Sequence, residues 1–186
     1  MDAFHRSSSR RLAMTIAAAM LAVPVCAAQA SAGCSGLPNA DSLRSRLQSV
    51  VKEGSSKNGG MGNQEWAVIV NRDGMGCAVV FSGSNRSQEW PGSRVIAAAK
   101  ANTANGLSND VYAISTANIF AASQPGQSLY SLATSGPPNP QAVFGDPASF
   151  GTPNDPMIGK AVGGVIVFGG GLALYNGQGK TLAVWD

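Results

Sequence analysis

The sparse carboxylates Glu65, Glu89, Asp110, Asp146 and Asp155 show no spacing that argues for a general acid–base pair. The single histidine is His5, inside an N-terminal stretch with the marks of an export signal. The rest of the chain therefore has no Ser-His-Asp triad, no histidine base and no histidine ligand for a metal or haem. No CxxC, HExxH or Cys/His cluster offers a zinc site. Gly179-Lys180-Thr181 imitates a phosphate-binding loop, but the glycine required five residues earlier is Leu174 and no helix follows. Gly163-Gly164 and Gly169–Gly171 likewise lack the helix that a dinucleotide fingerprint must open. Asn85-Arg86-Ser87 is a glycosylation triplet by pattern only.

What remains informative is glycine set among apolar strands. Val165–Phe168 and Leu172–Tyr175 read as strands joined by Gly169–Gly171, and a turn at Asn176–Gly179 leads into a third, Thr181–Trp185. Three adjacent glycines carry an entropic cost that an ordinary turn does not need. They mark a place where backbone passes close to a ligand, a neighbouring subunit or another part of the sheet.

Residues 1–30 read as a signal peptide: Arg6, Arg10 and Arg11 precede an apolar run, Leu12–Val25, and Ala28-Gln29-Ala30 supplies a cleavage site. Ser9-Arg10-Arg11-Leu12 fits a twin-arginine signal loosely, and general secretion stays open beside it. The expected localisation is periplasmic or extracellular, with no membrane association once the signal is removed. Three of the 13 basic and one of the ten acidic residues lie in this segment, so residues 31–186 carry a charge near +1. That balance gives no electrostatic footprint for nucleic acid. Cys34 and Cys77 remain after cleavage; an oxidising compartment would allow them to pair, but the sequence does not fix their separation in space.

Residues 31–186 suit one domain. Asp41 caps a first helix with Leu43, Leu47, Val50 and Val51 on one stripe and Gly54 at its end. Trp66–Val70 and Cys77–Phe81 read as a hairpin about Asn71-Arg72-Asp73-Gly74. Ser93–Asn105 is an alanine-rich helix, Ser115–Ala122 a third, and Leu129–Thr134 a short fourth. Residues 136–158 hold six of the ten prolines and read as a long loop of the kind that builds sites or interfaces. The order predicts an α+β domain, an antiparallel sheet with helices packed on one side.

Ser93–Ala104, Ser115–Phe120, Gln124–Tyr130, Gly163-Gly164-Val165 and Gly169–Gly171 occur in one order, and together they resemble the haem-degrading domain (GlcG/HbpS-type) family over Leu43 to Lys180. The resemblance implies a profilin- or PAS-like single domain, homo-oligomers that are often octameric and, for exported members, binding of haem or its iron. Haem would need cations for its propionates and apolar walls for its ring. Arg94 and Lys100 are the candidate cations, with Thr103 one turn beyond; Phe120, Tyr130 and Tyr175 are candidate walls, and Gly169, Gly170 and Gly171 the point of close approach. Without histidine, an iron ligand would come from cysteine, from a weak oxygen donor, or from Tyr112, Tyr130, Tyr175, Met61, Met75 or Met157, and the sequence selects none.

Family members continue past the Gly-Lys turn into a strand, a Gly-Val-Ser-Gly-like loop and a final acidic helix, whereas this chain stops at Leu182–Asp186, so the resemblance implies a truncated C-terminal strand and helix. The expectation is a shortened C-terminus that leaves apolar sheet surface uncovered. The function expected is sequestration or sensing of haem or iron by an exported protein. The alternatives are an enzyme of oxidative haem breakdown or of a small hydroxy acid, or a structural oligomer without a ligand.

Overall fold

The computed structural model describes residues 33–57 and 62–185; the expected signal peptide lies outside them. The first hairpin forms because Asn71 and Gly74 close its turn. Asn71 Oδ1 accepts the N–H groups of Asp73 and Met75, each at 3.0 Å, and Gly74 sits at φ +74°. Strand β1 (Trp66–Asn71) pairs antiparallel with β2 (Gly76–Phe81), placing Trp66 opposite Phe81. A second hairpin joins β3 (Leu172–Tyr175) to β4 (Thr181–Trp185) through a turn in which Asn176 Oδ1 accepts from Gln178 and Lys180. β4 then pairs antiparallel with β1, giving one four-stranded sheet in the order β2-β1-β4-β3.

The α+β class and the antiparallel sheet are as the sequence predicts, but the helices lie on both faces. Every residue of β1 is buried, so this strand has no polar face to leave in water. Trp66, Val68 and Val70, with Val79 and Phe81, meet alanines of helix α2 (Ser93–Leu107). Ala67, Ile69, Ala78 and Val80 meet Leu43 and Leu47 of helix α1 (Ala40–Lys57) on the opposite face. Ala97, Ala98, Ala101 and Ala104 present only methyl groups to the sheet, which lets α2 lie close to it, and their burial costs no side-chain entropy. A disulfide between Cys34 and Cys77, with Cα atoms 5.6 Å apart, fastens the segment before α1 to β2.

Two expected elements take another form. Ser115–Ala122 folds as two tight turns, Thr116–Ile119 and Ala121–Ser123, instead of one α-helix. Val165–Phe168 is not a strand but a strap laid across α2. Its backbone groups find α2 side chains: Ile166 N–H donates to Thr103 Oγ1 at 2.9 Å, and Asn102 Nδ2 donates to Gly164 O at 2.8 Å. Those bonds satisfy groups that a sheet neighbour would otherwise have to pair.

Glycine makes the strap's approach possible. A Cβ on Gly171 would stand 2.5 Å from the Lys100 carbonyl oxygen and 2.7 Å from the Thr116 methyl. The helix carbonyl cannot withdraw without breaking α2. Gly171→Ala is therefore expected to destabilise the fold by about 2 kcal/mol, as overpacking typically does. Thermal melting checks this, and an unchanged melting temperature would mean that the strap is free to lift.

Candidate binding groove

Trp66 opens β1 and Phe81 closes β2, and their register stacks the two rings with centroids 4.8 Å apart. Across them lies the turn Pro147–Ser149 and the residues after it, carrying Phe150 and Gly151. Two arginines hold that segment down. Arg44, from α1, donates to Phe81 O at 2.9 Å and to Gly151 O at 2.6 Å, so one guanidinium bridges sheet and loop. Arg94, from α2, is 2 % exposed. Its Nε and Nη2 form a fork on the Asp155 carboxylate, and Nη1 donates to Val143 O. The Phe150 ring stacks on this guanidinium, 3.8 Å from Cζ to centroid.

Arg86 stands on the open side. Asn85 and Gln88 cap its short turn reciprocally, and Arg86 Nη1 donates to Pro147 O at 2.5 Å. The result is two adjoining cavities, of about 490 and 340 Å³, that share Trp66, Arg86, Pro147 and Phe150 in their walls. Arg44 and Phe81 line the larger cavity, and Pro91 and Arg94 the smaller. Among the described residues neither Arg44 nor Arg86 has a carboxylate partner, while Arg94 is balanced by Asp155. The groove therefore combines aromatic walls with uncompensated positive charge, a setting that favours anions carrying a flat apolar body.

The residues singled out from the sequence do not converge here. Arg94 lines the smaller cavity, but its guanidinium is committed to Asp155 and Val143. Lys100, Thr103 and Gly171 come together instead beneath the strap. Lys100 Nζ lies 5.1 Å from the Phe168 ring centroid, and Thr103 Oγ1 donates to Ala99 O while accepting from Ile166. Gly169 and Gly170 are exposed at the strap's end, and Phe120 and Tyr130 are exposed beyond it. Tyr175 Oη lies 2.9 Å from Asn109 O, in another part of the fold.

Arg44, Trp66, Phe81, Arg86 and Phe150 were not singled out from the sequence. One signal was available: Trp66 and Phe81 begin and end the expected hairpin, so its register alone puts them opposite each other.

The carboxylates are mostly engaged. Asp110 accepts from the Thr181 N–H, chiefly, and from Lys180 and the Thr181 hydroxyl, which together lower its pKa to about 2. Glu89 Oε1 accepts from the Trp90 N–H, and Asp146 caps the turn at Ala148. Partial desolvation, then the charge of Glu89, pushes the Glu65 carboxyl above its ordinary range, with Lys100 pulling the other way.

Iron finds no donor set in the groove. Its lining residues include no Tyr, Met, Cys or His, and Met157 is packed in the core. Met61 lies outside the described residues. Among the described residues, the groove lining thus offers no axial ligand for a haem iron.

No family model matches this chain. No curated protein matches it either. Among solved structures, the Klebsiella pneumoniae protein ORFY, described by the family model DUF336, is similar with a TM-score of 0.45 and 19% sequence identity. The match covers 77% of this chain and 74% of ORFY.

Proposed function

We propose that this chain is an exported binding protein that carries haem as cargo in the groove between Trp66 and Phe150. The observation that carries the reading is the groove itself: stacked aromatic walls, a volume suited to a ring, and the exposed Arg86 guanidinium placed for a propionate. The N-terminal sequence pattern supports export, and the Cys34–Cys77 disulfide fits an oxidising compartment. Carboxylates tied up in caps and ion pairs favour binding over acid–base catalysis.

A haemin titration of residues 31–186, followed by Soret absorbance beside size-exclusion chromatography, tests the reading. A saturable shift at micromolar haemin is expected, and Arg86→Ala is expected to weaken it about 10-fold through loss of a charge-assisted hydrogen bond. Absence of a saturable shift on a discrete, folded species would sink haem as the cargo. Release of a biliverdin-type product with reductant and oxygen would favour the enzymatic alternative.

A further inference from the structure

We infer that the groove selects a flat carboxylate through Arg86 and is indifferent to a metal at the ring's centre. This inference rests on the binding reading above, and it assigns the chemical class of ligand and the residue that discriminates it.

The three arginines around the cavities are not equivalent. Arg94 is buried and its fork is filled by Asp155. Arg44 spends both terminal nitrogens on the carbonyls of Phe81 and Gly151, so it acts as a strut between α1, the sheet and the loop. Arg86 is exposed, lines both cavities and, among the described residues, commits Nη1 alone, to Pro147 O. That bond orients the guanidinium and leaves the Nε–Nη2 side, the same fork that Arg94 uses on Asp155, to take a carboxylate in bidentate geometry.

The walls are rigid enough to select a flat body. Trp66 and Phe81 are buried and stacked, and the Phe150 ring centroid lies 3.8 Å from the Arg94 guanidinium and 6.0 Å from that of Arg86. Asp155 reinforces the loop beneath by accepting the Gly151 N–H at 2.8 Å and the Met157 N–H at 3.0 Å. Ligand entry therefore need not order these side chains, which lowers the entropic cost of binding. The polar groups beside Arg86 are those of Ser84, Asn85 and Ser87, hydroxyls and an amide, none of them an imidazole, thiolate, thioether or phenolate of the kind that ligates haem iron. Charge and flatness are what this lining reads.

Calorimetric titrations of residues 31–186 with four probes test the inference: haemin, metal-free protoporphyrin IX, 2-naphthoate and its neutral analogue 2-naphthamide. The two porphyrins are expected to bind within about three-fold of each other, because no axial bond separates them. 2-Naphthoate is expected to bind at least about 10-fold more tightly than 2-naphthamide, and Arg86→Gln should erase that gap between the two probes. Arg86 is exposed, so the variant is expected to melt at the wild-type temperature.

Haemin binding about 10-fold or more above protoporphyrin would overturn metal indifference while leaving the haem reading in place. Equal affinity for naphthoate and naphthamide, or a gap that survives Arg86→Gln, would overturn the assignment to Arg86. Failure of both porphyrins with charge-selective naphthoate binding would remove haem as cargo but support the carboxylate class.

Discussion

Asp155→Ala is expected to lower the unfolding free energy by about 4 kcal/mol, measured by urea denaturation with tryptophan fluorescence. The pair it breaks is sealed: the side chains of Arg94 and Asp155 are 2 % and 0 % exposed. The carboxylate accepts from Arg94 Nε and Nη2 and from the backbone of Gly151 and Met157, so its removal leaves four donors without their acceptor. Arginine keeps its proton at any pH a protein survives, so the truncation leaves a bare charge in the core rather than a neutralised one. Converting both partners to apolar residues, Arg94→Met with Asp155→Leu, should recover most of the loss, because the cost lies in the orphaned charge more than in the missing attraction. A loss below about 1 kcal/mol for Asp155→Ala would mean that water reaches the pair. The same substitution frees the loop beneath Phe150, so haemin affinity should fall with stability in this variant.

That pair also marks where sequence reading stops. A helical arginine at position 94 reads as surface or ligand-binding because arginine is seldom buried without a partner, and its partner lies 61 residues along the chain. The hairpins and the two long helices were legible because their signals are local: Asn71 to Gly74, Asn176 to Gly179, and the apolar stripes of α1 and α2. The two-sided cover of the sheet was only half legible. The uninterrupted apolar run of β1 calls for burial on both faces, but nothing local says which element covers which. The strap shows the same limit. Val165–Phe168 has the composition of a strand, and what decides otherwise is Asn102 and Thr103, roughly sixty residues earlier, offering hydrogen bonds that a sheet neighbour would have supplied. The groove draws Arg44, Trp66, Arg86 and Phe150 from four separate segments, so no spacing rule could gather them. Only the Trp66–Phe81 pairing was within reach.

Replacing Cys34 and Cys77 together with serine is expected to destabilise the protein by about 3 kcal/mol net. The bond spans 43 residues of sequence, for which constraint of the unfolded chain amounts to about 4 kcal/mol. A smaller term opposes it. Among the described residues, Asn71 Nδ2 is buried without a hydrogen-bond partner, and it lies close under Gly33, where an added Cβ would stand 2.7 Å away. Releasing Cys34 would let this segment lift and the amide reach water, returning about 1 kcal/mol. The loss should be local first. α1 keeps its place through Leu43 and Leu47, buried against the sheet, and through Arg44 and Gln48, which donate to β2 and the residue after it. An isolated helix of this length is marginal in water, so it depends on those contacts and on the tether before it. Hydrogen exchange should therefore accelerate across α1 well before α2, and because Arg44 belongs to α1, the wall it braces at Gly151 should loosen with it. Equal protection of α1 and α2 in the double serine variant, at wild-type stability, would show that the apolar contacts alone hold α1 and that the disulfide adds nothing to the groove.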